Sequence, residues 1–189
     1  MFFYYLCGKH KDIMILKGFK ENSIKKHLRS LLNNSEGISK VQVIDSVGVI
    51  VNADEFQGLE MFKSLATSLH ISSNKLKIIS YTAIKKGEFP LEENCFNPKN
   101  IGWKGSIINA ELETFLNTEF DLLISYYKTD LLHLKLLTAK SKARFKVSTF
   151  EEDERLNDLI IFTPLSDFNA FKTELLKYLQ VFKILKHDT

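Results

Sequence analysis

The stretch from residue 120 to residue 147 restricts the possible folds of this chain more than any other. It reads as an apolar strand (120–127), a helix and a second apolar strand (143–147), joined by very short links. Parallel strands need a crossover connection, and a helix is the usual one. This stretch therefore predicts a sheet whose strands run parallel and whose faces are covered by helices.

The same pattern recurs along the chain. Three more segments have the near-continuous apolar composition of buried strands, at 46–52, 75–83 and 156–163. Helical periodicity accompanies them, most clearly in the last segment, where Phe168, Phe171 and Leu175 share one face. We predict a three-layer α/β domain with a mostly parallel sheet of about five strands, Rossmann-like or flavodoxin-like in plan.

The first 40 residues differ in charge from the rest and are predicted to form a basic N-terminal arm with one helix. They hold eight Lys/Arg against three Asp/Glu, whereas the rest holds 18 against 20. Ile24, Leu28 and Leu31 follow the i, i+4, i+7 spacing of an amphipathic helix, which we place at 19–33. Residues 41–189 are expected to form the single α/β domain.

The cations of this helix form a candidate surface for a partner protein, and the nominated residues are Lys25, Lys26 and Arg29. Together with the aromatic residues of the arm, they also suit nucleic-acid phosphates or an anionic membrane surface. The alternative is a helix that packs on its own domain and has no other role.

The composition favours a cytoplasmic protein. Cys7 and Cys95 are far apart in sequence, and two isolated cysteines are typical of a reducing compartment. The apolar start is followed by Lys9 and Lys11, whereas a secretory signal has its positive charge before the apolar run. No stretch approaches the roughly 18 apolar residues of a membrane span.

The least regular segment is 85–106, with two of the three prolines, three glycines and the only tryptophan. A loop of this length in a compact domain is either functional or poorly ordered. It leaves room for a short edge strand around Lys104–Ile108. Trp103, between glycines, is either an exposed aromatic anchor for a partner or a lid that folds back over one end of the core.

Four segments, SVGVIVN, IGWKG, FDLLISYY and AKSKARFKV, also carry a family resemblance. Over about residues 20–185 the chain resembles an uncharacterised family of short cytoplasmic α/β proteins from Bacteroidota-type bacteria, classed only as a domain of unknown function. In that family a glycine tends to follow the last of these elements, and Ser148 stands there in this chain. The resemblance implies the α/β fold and supplies no catalytic residues.

The carboxyl ends of the strands are the expected place for a ligand. In open α/β sheets, ligands bind outside these ends, where the chain order reverses. Hydroxyls, one cation and one carboxylate occur there, with helix N-termini nearby to hold an anion such as a phosphate. The candidate residues are Asn52, Asp54, Tyr81, Thr82, Tyr126, Tyr127, Lys128, Ser148, Thr149 and Thr163. The alternative is that they are ordinary turn and cap residues.

Other kinds of site lack support. The segment after the first strand has no glycine-rich loop, and Asp54 with Glu55 would repel a phosphate at the following helix start. The five histidines show no i, i+4 pair, so we expect no metal and no cofactor. Cys95 has no histidine within twenty residues to serve as its base. The chain order alone does not exclude a base that is close only in space.

The function predicted from these observations is a non-catalytic cytoplasmic module that binds a partner protein or a small anionic ligand. One alternative is a small transferase or hydrolase acting on a phosphorylated or nucleotide-linked substrate. Another is a membrane-surface or nucleic-acid adaptor working through the basic arm. A concave polar pocket at the strand ends would favour the enzyme.

Overall fold

The computed structural model describes residues 3–34, 41–83, 95–150 and 153–185, with side chains from residue 15 onward. A six-stranded sheet, parallel throughout, forms the middle layer. Its strands are β1 (Val47–Asn52), β2 (Leu76–Tyr81), β3 (Cys95–Phe96), β4 (Leu122–Tyr126), β5 (Phe145–Ser148) and β6 (Leu159–Ile160). The spatial order is β3-β2-β1-β4-β5-β6, which is that of a doubly wound Rossmann sheet. The predicted α/β class is confirmed.

Helices form the outer layers on both faces of the sheet. They are α1 (Phe3–Asn33), α2 (Glu60–Ser68), α3 (Ala110–Asn117), α4 (Leu132–Lys140) and α5 (Phe168–Val181). Short 3-10 turns occur at Ser73–Lys75, Pro98–Asn100 and Trp103–Gly105.

The side chains of β1 alternate between the two faces of the sheet and show which helices cover each face. Val47, Val49 and Val51 lie in a core cluster with buried residues of α2 and α5. Ile50 points to the opposite cluster, which contains buried residues of α1, α3 and α4. Successive side chains of a strand point to opposite faces, so an almost uninterrupted apolar strand requires cover on both sides.

The helix α1 is longer than the 19–33 segment that the periodicity predicts, because its backbone is already helical from Phe3. Ile24, Leu28 and Leu32 are buried in the second core cluster. The C-terminal half of α1 packs against α4 and against the turn at Trp103–Gly105. The predicted boundary at residue 40 stays a prediction, and residues 35–40 lie outside the described part of the chain.

Two strand predictions were wrong in extent or place. Residues 104–108 form no edge strand; they make one antiparallel bridge, Ile101 to Ile107, and the short strand beside β2 is β3. The strand predicted at 156–163 is only Leu159–Ile160. Its start is limited by Asp158, whose side chain accepts a hydrogen bond from the Lys146 backbone N–H at 2.7 Å and so replaces a ladder bond. Much of the 85–106 segment, up to residue 94, lies outside the described residues.

Replacing Gly48 by alanine should destabilise the protein. Gly48 lies inside β1, and a Cβ atom there would come within 2.6 Å of Cδ2 of the Phe120 ring, which is itself buried. We expect the free energy of unfolding to fall by about 1–3 kcal/mol, the usual cost of overpacking a core. Urea unfolding of the purified variant measures this change.

Gly18→Ala is the matched control. Gly18 is exposed on α1, and nothing lies within 4 Å of an added Cβ. The substitution should leave stability unchanged or raise it by up to about 1 kcal/mol through helix propensity. Equal losses in the two variants would contradict the close approach of Phe120 to β1.

Candidate functional site

The crevice between β1 and β4, where the strand order reverses, is closed by a carboxylate. Glu55 follows β1, and its Oε2 accepts a hydrogen bond from the Lys128 backbone N–H at 2.9 Å. Its Oε1 accepts a second bond from the Thr129 hydroxyl. One acidic side chain thus links the segments that follow β1 and β4, and it fills the place where this fold usually holds an anion.

Asp54 and Asn52 are used in a similar way between β1 and β2. The Asp54 carboxylate accepts bonds from the Thr82 hydroxyl and from the Ala83 N–H, the latter at 2.8 Å. The Asn52 side-chain oxygen accepts the Asp54 N–H at 3.1 Å. These contacts tie the two strand ends together, as expected of turn residues.

The predicted tyrosine and threonine candidates are mostly internal. The Tyr126 hydroxyl donates to the Leu165 carbonyl at 3.0 Å, and its ring is surrounded by phenylalanines. Tyr127 shares a 2.9 Å hydrogen bond with Thr138, and the Thr149 hydroxyl donates to the Tyr127 carbonyl at 3.0 Å. All of these side chains are buried, so a ligand could reach them only if the packing opened.

The remaining candidates differ in exposure. The Ser148 hydroxyl donates to the Phe150 carbonyl and accepts the Phe150 N–H, which forms a local turn after β5. Thr163 is buried, and its hydroxyl has no partner within the part of the chain that the structure describes. Lys128 is exposed. Ligand binding by any of these residues stays a prediction.

An open groove of about 1270 Å³ lies elsewhere, and we call it the α1 groove. It runs between α1 and the carboxyl-end side of the sheet. Its other walls are the end of β2, the turn 97–99, the start of α4 and residues 153–156. Its apolar lining comes from Leu28, Leu32, Leu131, Leu132 and Leu156.

The charge of the α1 groove is strongly positive. Seven cations line it: Lys17, Lys20, Lys25, Arg29, Lys99, Lys135 and Arg155. The acidic lining residues are Glu21, Asp130 and Asp153. Each of these acids pairs with a groove cation: Glu21 with Lys17 at 4.0 Å, Asp130 with Lys135, and Asp153 with Arg155 at 2.7 Å.

Three groove cations keep their charge uncompensated. Among the described residues, no carboxylate lies within ion-pair distance of Lys25, Arg29 or Lys99. Lys20 adds a fourth charge, and its amine donates to the Pro98 carbonyl at 3.4 Å. Cations gathered along a concave, partly apolar wall focus the field and attract anions.

Tyr81 and His133 add a hydrogen-bonding pair to the lining. The Tyr81 hydroxyl lies 2.9 Å from His133 Nδ1, and the two rings stack with centroids 5.8 Å apart. Burial, reinforced by the charge of Asp54, raises the pKa of Tyr81 above its ordinary value. Burial, together with the charge of Lys20, lowers the pKa of His133. Both groups are therefore neutral near pH 7, and the imidazole tautomer decides which of the two donates the hydrogen bond.

The groove unites residues that the sequence assigned to different surfaces and adds others that it missed. Tyr81 was nominated for a ligand, and Lys25 and Arg29 for a partner, yet all three line the same groove. Lys26 points elsewhere and is exposed. A signal was present in the sequence, because Lys17, Glu21, Lys25 and Arg29 are spaced by four and must share one helix face. His133, Lys99 and Arg155 gave no such signal.

The Trp103 side chain is about half exposed, at 52%. The next residue, Lys104, attaches this turn to α1. The Lys104 N–H donates to the Ser23 hydroxyl at 3.0 Å. Lys104 and Gly105 both have left-handed backbones, with φ of 52° and 70°. This tight turn fixes the backbone at Trp103, and the role of Trp103 in binding a partner stays a prediction.

The family of unknown function DUF6913 matches residues 20–182. The chain belongs to DUF6913. This span begins inside α1 and ends just after α5, so it includes all six strands and most of the α1 groove. Comparison with curated proteins gives no match, and neither does comparison with solved structures. Membership of DUF6913 therefore confirms the resemblance at the level of a family whose function is unknown.

Two further structural findings concern the other classes of function. None of the helices in the described ranges is both long enough and apolar enough to cross a membrane. Within the same ranges, no three His, Cys, Asp or Glu side chains come together in a way that could hold a metal ion. The expectation that the protein uses no metal stays a prediction.

The partial burial of His133 should make the stability of the protein depend on pH. Its pKa is lower in the folded protein than the ordinary value of about 6.5, so the unfolded chain binds the proton first as the pH falls. The free energy of unfolding should then decrease as the pH falls below about 6.5. His133→Gln should show a shallower decrease when urea midpoints are compared across this range. The pKa of His27 is also lowered, but His27 is present in both proteins, so its contribution to the two pH profiles is the same. Parallel pH profiles would contradict a neutral, half-buried His133.

Proposed function

We propose that this protein is a non-catalytic binding module that holds an anionic ligand in the α1 groove. The observation that carries the proposal is the cluster of Lys25, Arg29 and Lys99, which have no carboxylate within ion-pair distance among the described residues, in a groove that leucines of α1 and α4 also line. Cations of this kind attract phosphate or carboxylate groups, and arginine can bind them with two parallel hydrogen bonds.

The shape of the groove supports a particular kind of ligand. Ligand pockets in proteins usually measure roughly 300–1,000 Å³, so a groove of about 1270 Å³ is suited to an extended molecule. The anionic part of the ligand would lie near Arg29 and Lys99. Its uncharged part would contact Leu132 and Leu156, and the His133 imidazole would offer it a hydrogen bond.

The cellular setting belongs to the same proposal. We place the protein in the cytoplasm, on the basis of Cys7 and Cys95, which are isolated in sequence, and of the family resemblance. The resemblance also suggests a source among Bacteroidota-type bacteria. A cytoplasmic module would meet phosphorylated metabolites and acidic polypeptides as its available anions.

The second candidate is the enzyme alternative, favoured by one observation. His133 has a lowered pKa, lies in a cleft and is oriented by the Tyr81 hydroxyl, and such groups are frequent among catalytic bases. The non-catalytic proposal predicts no hydrolysis of p-nitrophenyl phosphate above that of buffer. Hydrolysis by the wild-type protein that disappears in His133→Gln would favour the enzyme.

Lys25→Glu tests the binding proposal directly. Calorimetric titration with inorganic pyrophosphate at low salt should show binding by the wild-type protein. Reversing a charge inside the groove should weaken this binding about tenfold or more, equivalent to about 1.4 kcal/mol.

Lys26→Glu is the matched control, because it makes the same charge change at the next residue, outside the groove. We expect it to alter the affinity for pyrophosphate much less. Equal weakening in both variants would mean that pyrophosphate responds to the overall charge of the protein and not to the groove, which would contradict the proposal. Absence of binding by the wild-type protein would also contradict it.

A further inference from the structure

The helix α1 presents a second exposed surface, on the side away from the groove. Ile15, Leu16 and Phe19 are 54%, 57% and 62% exposed. Phe19 and the buried Leu28 are nine residues apart, which is two and a half helical turns, so they point in opposite directions. Exposed apolar side chains on the outer side of this helix are therefore not part of its contact with the sheet.

Trp103 lies on the same side of α1 as these three exposed residues. The turn that carries it is attached to Ser23, which lies one helical turn after Phe19 on the same face of α1. The turn also packs closely against α4, because a Cβ atom added at Gly105 would lie 3.0 Å from the Leu136 side chain. We call the set Ile15, Leu16, Phe19 and Trp103 the apolar ridge.

The surroundings of the ridge are basic. Lys26 lies seven residues after Phe19 and hence on the same face, and Lys104 adjoins Trp103; both are exposed. Glu21 is the only acidic residue between residues 15 and 34. It faces the groove and pairs with Lys17 there. A partner that covers the ridge must therefore accept positive charge at its border.

We propose that the apolar ridge docks on an anionic membrane surface. Aliphatic and aromatic side chains beside lysines, on one face of a helix, are the composition of helices that lie in the lipid headgroup region. Tryptophan favours that region because its ring is apolar and its N–H is polar. Docking of this kind needs no membrane-spanning helix, and α1 is not one.

The other occupants fit less well. A symmetric contact with a second copy would place Lys26 and Lys104 of both copies in one interface with no acidic ridge residue to offset them, and such an excess of like charge disfavours association. Nucleic acid would use the lysines and could stack on Trp103, but it gains little from Ile15 and Leu16. This inference does not depend on the α1 groove, because none of the four ridge residues lines it.

The single tryptophan of the chain gives the test, since Trp103 fluorescence reports only on the ridge. The full-length protein is titrated with phosphatidylcholine vesicles that contain phosphatidylserine, and with vesicles of phosphatidylcholine alone. We expect a blue shift with the anionic vesicles only, and the shift should fade as salt is added because lysines are screened.

Matched variants locate the contact. Phe19→Ser should weaken vesicle binding about tenfold or more through lost apolar contact with the lipid. Phe162→Ser should have no effect, because Phe162 is 69% exposed but follows β6, outside the ridge. Lys26→Glu should weaken vesicle binding while sparing pyrophosphate binding, which separates this inference from the proposed function.

Four results would overturn the inference. They are the absence of a blue shift with anionic vesicles, equal losses in Phe19→Ser and Phe162→Ser, a blue shift that grows with protein concentration when no vesicles are present, and an equal blue shift with single-stranded DNA. The third result would indicate a second copy on the ridge, and the fourth a nucleic acid.

Discussion

The packing of Ile24, Leu28 and Leu32 against the second face of the sheet determines what the rest of α1 can do. Burying side chains of this size is worth about 1.5–3 kcal/mol each, so the rotation of the helix about its axis is strongly fixed. Once it is fixed, the 3.6-residue period directs Lys25 and Arg29 to the groove and Phe19 to the opposite side. One apolar stripe thus sets the position of two surfaces with different chemistry.

The usual ligand site of this fold is occupied by the protein itself. In a doubly wound sheet the crevice between β1 and β4 normally faces a ligand. Here the Glu55 carboxylate bridges that crevice, and Asp54 ties β1 to β2. Function follows the site and not the fold, so the open cationic space beside α1 is the better guide to what this protein binds.

The sequence predicted the layers well and the site only in part. Strands such as Val47–Asn52 are apolar without interruption, which specifies burial on both faces. The strand order could not be predicted, because it depends on which apolar strands pair across long gaps. The α1 groove could not be predicted either, because it brings α1 together with Tyr81 and His133. These two residues are 52 positions apart in the sequence. Lys25 and Arg29 were noticed through helical spacing, a local signal that survives in the sequence.

The central claim is that the space beside α1, and not the crevice at the strand ends, takes an anionic ligand. An amide NMR titration of the full-length protein with pyrophosphate tests it most directly. The account predicts that the largest shifts occur at Lys25, Arg29 and Lys99, with small changes at Asp54 and Glu55. The largest shifts at Asp54, Glu55 and Lys128, or small shifts spread evenly over the surface, would contradict it.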